Sequence, residues 1–174
     1  NADQILPLKT SEKVAFVGGF AKKPRFQGGG SSHINCFKIT NALESVPADA
    51  QVTYVEGFSA DKDLYDEKLA AEAVQAAKAA DKVVIFAGLP DSFESEGYDR
   101  SHMRLPECQN RLIAEILEVQ PNTVIVLHNG SPVEMPWINN VKGILEAYLG
   151  GQAGGAAVAN ILYGCLLYTS PSPR

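Results

Sequence analysis

Lys82-Val83-Val84-Ile85-Phe86-Ala87 and, further on, Asn122-Thr123-Val124-Ile125-Val126-Leu127 are short apolar runs with no polar alternation. A strand reads this way when both of its faces are covered, as in a parallel sheet lying between helices. The stretches before the two runs have helical character. Residues 66–80 are rich in Ala, Glu, Lys and Gln, with Leu69, Ala73, Ala76 and Ala77 along one face; residues 106–119 repeat Leu112, Ile113, Ile116 and Leu117 at helical spacing. Outward from this centre, residues 13–18 (KVAFVG) form another buried strand, and residues 51–55 (QVTYV) a weaker one. Residues 142–148 (KGILEAY) complete the series of strands, and residues 151–163 open glycine-rich and continue as a helix. The alternation predicts a layered α/β/α sandwich around a mostly parallel sheet of about five or six strands. In such a fold helices cover both faces, and chemistry gathers beyond the carboxyl ends of the strands.

Composition narrows the function. The 174 residues are 45% hydrophobic and 20% charged, enough apolar material for one core. The formal charge is -5 and no basic stripe runs along the chain, which leaves a nucleic-acid or anionic-membrane partner without electrostatic support. No apolar run is long enough to span a bilayer. The chain opens Asn1-Ala2-Asp3-Gln4, with neither an initiating Met nor a signal-like segment, so its first residue need not be a native start. Cys36, Cys108 and Cys165 are widely and irregularly spaced, and the three histidines lie on different loops. That pattern supplies no metal-ligand set and reads as small buried hydrophobes. A reducing, cytoplasmic compartment is compatible with it.

The segments leaving the strands hold the unusual polar residues. After the 82–87 strand come Phe93-Glu94-Ser95-Glu96-Gly97-Tyr98-Asp99-Arg100, with Asp91 just before. Glu96 precedes a glycine, which lets the backbone turn sharply and present the carboxyl to a cleft; a loop glutamate whose pKa is raised can serve as a general acid. Glu94 is its rival for that role, and Asp99 with Arg100 reads as a charge pair locking the loop. Solvated loop acids are common, so composition alone leaves the roles of these acids open. A second segment, Phe26-Gln27-Gly28-Gly29-Gly30-Ser31-Ser32, permits close backbone approach but lacks both the dinucleotide and the P-loop spacing. In a third, Ser131-Pro132-Val133-Glu134 has the form of a capping box and predicts a helix start.

Taken together, five motifs resemble one family. They are Asp3-Gln4-Ile5-Leu6-Pro7-Leu8, the 26–32 glycine loop, Glu94-Ser95-Glu96-Gly97-Tyr98-Asp99-Arg100, Asn129-Gly130-Ser131-Pro132-Val133-Glu134-Met135-Pro136-Trp137, and Tyr148-Leu149-Gly150-Gly151-Gln152-Ala153-Gly154-Gly155. In this order they resemble the second, α/β-sandwich domain of glycoside hydrolase family 3, the β-glucosidase family, across residues 1–164. The resemblance implies retaining hydrolysis of terminal β-linked sugars by two carboxyl groups, without cofactor or metal. One is a nucleophilic aspartate on a preceding barrel domain; the other matches Glu96, the general acid/base. Phe93 is a candidate for stacking on the leaving-group sugar, and the glycine loop for shaping the cleft wall or the domain interface. The implied partners are a β-glycoside or oligosaccharide and the barrel of the same parent chain. The barrel has no counterpart in these residues, so the chain reads as a fragment, inactive alone. Residues 165–174 (CLLYTSPSPR) read as a non-native tail. The competing expectation is a non-catalytic α/β module that packs against a barrel.

Overall fold

The computed structural model describes residues 1–98 and 100–164. The expectations for residues 165–174, Cys165 among them, and for Asp99 lie outside the described residues. Five strands, β1 (Lys13–Val17), β2 (Gln51–Val55), β3 (Lys82–Gly88), β4 (Thr123–His128) and β5 (Gly143–Glu146), form one sheet in the order β2-β1-β3-β4-β5. Every pairing is parallel, with Phe16 opposite Val84 and Val84 opposite Val124. Three helices complete the sandwich: α1 (Glu67–Ala79), α2 (Glu107–Val119) and α3 (Gly154–Leu162).

The two apolar runs sit where a doubly covered sheet needs them. Successive residues of β3 alternate between two separate cores, Val83, Ile85 and Ala87 beneath α1 and α2, Val84 and Phe86 beneath α3. β4 does the same with Ile125 and Leu127 against Val124 and Val126. All are inaccessible to solvent or nearly so, and burying one such side chain contributes on the order of 2 kcal/mol. On α2, Leu112, Ile113 and Ile116 are buried as the spacing requires; α1 buries the smaller Ala70, Ala73 and Ala77. Asp66 caps α1, its carboxylate accepting the N–H groups of Lys68 (2.9 Å) and Leu69 (3.1 Å). Pro106 gives α2 no side-chain cap, and Asp63 accepts the free Cys108 N–H instead, at 2.9 Å.

The capping-box expectation fails. Ser131 and Pro132 start no helix. The Glu134 N–H donates to the Met103 carbonyl at 2.8 Å, and Arg104 forms a parallel bridge with Glu134. The segment is therefore extended against a distant loop, a tertiary pairing that overrides the local capping signal.

Candidate active site

The strand order reverses direction at β1 and β3, and the two chain exits there diverge. Beyond β1, Phe20 and Ala21 turn into the core beneath α3; beyond β3, Leu89 turns into the core beneath α1 and α2. The space outside diverging exits is where open α/β sheets place their ligands. The exits are close-packed at their roots. Gly18 has a φ of 111°, and a Cβ there would lie 2.3 Å from the Phe86 carbonyl oxygen, so only glycine fits. Gln109, fully buried on α2, closes the end of β3 by accepting the Gly88 N–H and donating to the Gly88 carbonyl, each at 2.9 Å.

Arg25 ties the two exits together. Its side chain is 6% exposed and donates from Nε to Asp91 Oδ1 at 3.0 Å, from Nη1 to Glu94 Oε2, and from Nη2 to the Glu94 carbonyl at 2.8 Å. Glu94 also accepts the Gly130 N–H at 2.9 Å. Burial alone would raise the Glu94 pKa, but hydrogen bonds from Ser131, Arg25 and Gly130, with the Arg25 charge, outweigh it and hold the carboxyl below its ordinary value. Glu94 is thus a fixed, ionised strut.

Glu96 is placed differently. It is exposed, pairs with no cation among the described residues, and lies on the crest of the 26–32 glycine loop, where Ser31 N–H donates to its Oε2. The Ser31 hydroxyl and N–H hold its carboxyl below the ordinary value. The glycines make this contact possible. Gly30 has a φ of 74°, and a Cβ there would fall 2.4 Å from both the Cβ and Oε2 of Glu96. A Cβ on Gly29 would fall 2.5 Å from the Ser95 hydroxyl. Thus the glycine loop backs the Glu96 loop directly.

Phe93 is half-buried against the core beneath α2, and it also lines an open groove of about 330 Å³ with Glu94, Tyr98, His102, Met103 and Pro132. Phe93 therefore both anchors its loop to the core and forms part of the groove wall. The sequence motifs converge here except for the 3–8 segment, whose Ile5, Leu6 and Leu8 pack in the core beneath α3.

Four further features of this edge went unread in the sequence. Arg25, just before the glycine loop, and Ser31 within it carry no local signal, because their partners are more than sixty positions away. His128, at the end of β4, is buried between Phe20 and Phe86 at ring distances of 5.6 and 6.3 Å. Burial pushes its pKa down to about 4, partly opposed by a hydrogen bond with the Arg25 backbone. Glu146, at the end of β5, has its pKa raised by burial, against hydrogen bonds from the Tyr148 N–H and Asn129. Among the described residues no group of three His, Cys, Asp or Glu could hold a metal ion, and no helix is long and apolar enough to cross a membrane.

The family described as "Glycosyl hydrolase family 3 C-terminal domain" matches residues 1–173. The chain is 53% identical to thermostable beta-glucosidase B of Acetivibrio thermocellus, over 94% of this chain and 22% of that protein. It is 42% identical to an exo-alpha-(1->6)-L-arabinopyranosidase of Bifidobacterium longum, over 100% of this chain and 24% of that protein. Among solved structures, a GH3 beta-glucosidase of Bifidobacterium adolescentis superposes with a TM-score of 0.89 at 45% identity, over 94% of this chain and 24% of the other. The chain therefore spans about a quarter or less of the length of these relatives.

Proposed function

We propose a function from the premise that the chain belongs to the glycosyl hydrolase family 3 C-terminal domain family: it is the acid/base-carrying domain of a retaining β-glycosidase. The domain runs over residues 1–164, and a barrel elsewhere in the parent chain supplies the nucleophilic aspartate and most of the sugar pocket. Glu96 protonates the departing oxygen and then, as carboxylate, activates the water that opens the glycosyl-enzyme. The single observation that carries this assignment is the contrast between the two glutamates. Glu94 is immobilised by a buried guanidinium, whereas Glu96 is free of cations among the described residues, solvent-facing and oriented by a backbone N–H.

The lowered Glu96 pKa suits a base, and a general acid needs the opposite shift. Docking of a barrel would strip water from this exposed carboxyl, and a retaining enzyme sets its second carboxylate about 5–5.5 Å away. Both changes raise a carboxyl pKa. The acid therefore comes into being only on assembly, and the 174-residue chain alone is inactive. Two relatives that share this domain bear the names of enzymes for different sugars, a glucosidase and an arabinopyranosidase. This fits a division in which the barrel selects the sugar while Phe93 and the groove beside it meet the leaving group.

The test uses a full-length relative carrying the same loop. Glu96→Gln is expected to slow substrates with poor leaving groups by roughly 10²-fold or more, and activated aryl glycosides far less. In Glu96→Ala, added azide restores turnover of an activated substrate, since a small anion attacks the glycosyl-enzyme without a general base. Equal, modest losses for Glu94→Gln and Glu96→Gln would instead make the domain architectural. Mutation-sensitive hydrolysis of an aryl β-glucoside by the pure 174-residue chain would refute the predicted inactivity.

A further inference from the structure

We infer that Arg25 is a positioning residue for the Glu96 carboxyl, acting through a two-point clamp formed by residues 25–31. The inference rests on the acid/base reading of Glu96 and adds what holds that group in place. Past Glu94 the tip of the loop beyond β3 has little packing of its own: Glu96 and Tyr98 are exposed, and a Cβ on Gly97 would meet nothing within 4 Å. A catalytic carboxyl on such a loop needs outside fixation, because misplacement of about 1 Å can cost ~100-fold in rate.

The clamp's first point is the guanidinium. Its Nε, Nη1 and Nη2 reach three different acceptors, Asp91 Oδ1, Glu94 Oε2 and the Glu94 carbonyl. The backbone is thereby held two residues before Glu96. The second point lies six residues along the same segment, where Ser31 N–H meets Glu96 Oε2 and the bare Gly29 and Gly30 seat Ser95 and Glu96.

The stretch between the two points is braced so that they move together. Gln27 Oε1 accepts the Ile34 N–H at 3.0 Å, and Gln27 Nε2 donates to the Ile34 carbonyl at 3.2 Å. The Phe26 carbonyl accepts the Gly151 N–H at 2.8 Å, which moors the base of the loop to the β5 side of the sheet. A lysine at position 25 keeps the charge but offers a single ammonium, which cannot reproduce a planar fork addressed to three acceptors. Arg25→Lys therefore loosens the clamp without removing the cation.

Two measurements test the clamp. In the 174-residue chain, the Glu96 side-chain carboxyl is followed by ¹³C NMR across acid pH in wild type, Arg25→Lys and Gly30→Ala. Trp137 fluorescence confirms that each variant is folded. The expected result is a wild-type midpoint below that of an ordinary glutamate, moved up towards it in both variants; an unchanged midpoint in Arg25→Lys overturns the clamp, whatever Gly30→Ala does. In a full-length relative carrying the same loops, Arg25→Lys is compared with Glu96→Gln. The expected loss in kcat for Arg25→Lys is roughly tenfold for a poor leaving group and under twofold for an activated one, a fraction of the general-acid contribution. An equal loss on both substrates overturns the clamp, since a merely structural defect does not discriminate leaving groups. A leaving-group dependence in Glu96→Gln but not in Arg25→Lys refutes the clamp alone. Its absence in Glu96→Gln refutes the acid/base reading beneath it.

Discussion

Lowering the pH should destabilise this domain through His128, by an amount the structure fixes to order of magnitude. The ring is buried between Phe20 and Phe86, and its pKa falls from 6.5 to about 4. A group with a depressed folded pKa binds protons more readily in the unfolded chain, so acid favours unfolding. The stabilisation from the neutral ring is complete above pH 6.5 and is lost progressively as pH falls towards about 4. Proton linkage over those limits gives a loss of about 2 kcal/mol at pH 5 and about 3 kcal/mol near pH 4. His128→Leu, close in volume and unable to titrate, isolates this contribution from that of the carboxylates. Urea unfolding can be followed with Trp137, the one tryptophan, which is 4% exposed. At a slope of about 2 kcal/mol per molar urea, the wild-type midpoint should drop by about 1 M more than that of His128→Leu between pH 7.5 and pH 5. Parallel pH dependence in the two proteins would show that His128 is hydrated or protonated in the folded state, and would refute the reasoning.

Two further outcomes follow from the packing at the same sheet edge. Glu94→Gln leaves Arg25 short of its buried partner and should lower stability by about 2 kcal/mol, below the range for a fully buried pair because the Glu94 side chain is 20% exposed. Glu96→Gln, at an exposed carboxyl, should leave the urea midpoint unchanged; the reverse order would make Glu96 the strut. Gln109→Leu orphans both the N–H and the carbonyl of Gly88 in a dry site, which should cost about 3 kcal/mol. Amide hydrogen exchange at Gly88 should then accelerate well beyond that at Val84, and uniform acceleration along β3 would count against a local role for Gln109.

The parts legible in the sequence are those whose cause is local or periodic. β3 and β4 were readable because a strand covered on both faces leaves no room for polar alternation, and Val83 to Phe86 obey that rule without exception. α2 was readable because Leu112, Ile113 and Ile116 share one stripe. On α1 the stripe is only partly legible: Ala73 and Ala77 are buried as expected, but Ala70 is buried while Leu69 and Ala76 are only half-buried, since an alanine-rich helix has little side-chain contrast to mark its inner face. The Ser131–Glu134 capping signal misled because a loop at Met103 claims the Glu134 N–H. The site was half legible. The loop carrying Glu94, Glu96 and Phe93 stood out by composition, and the glycine after Glu96 is the only local mark separating two glutamates two positions apart. What separates them is Arg25, contributed by a segment leaving a different strand.

That separation explains why the glycine loop and the acidic loop belong to adjacent strands at the point of reversal. A single loop could carry both a strut and a reactive carboxyl, but it could not restrain one while exposing the other, because restraint needs a counter-surface. Adjacent, diverging strand ends supply such a surface at short range, and here the β1 segment reaches across to serve as one. The geometry sets competing demands on position 30. It must accept a positive φ and leave space for Glu96, while its successor points an N–H at the carboxylate. An alanine meets neither the first nor the second demand, so the cost of Gly30→Ala should appear in the orientation of Glu96 before it appears in the stability of the fold.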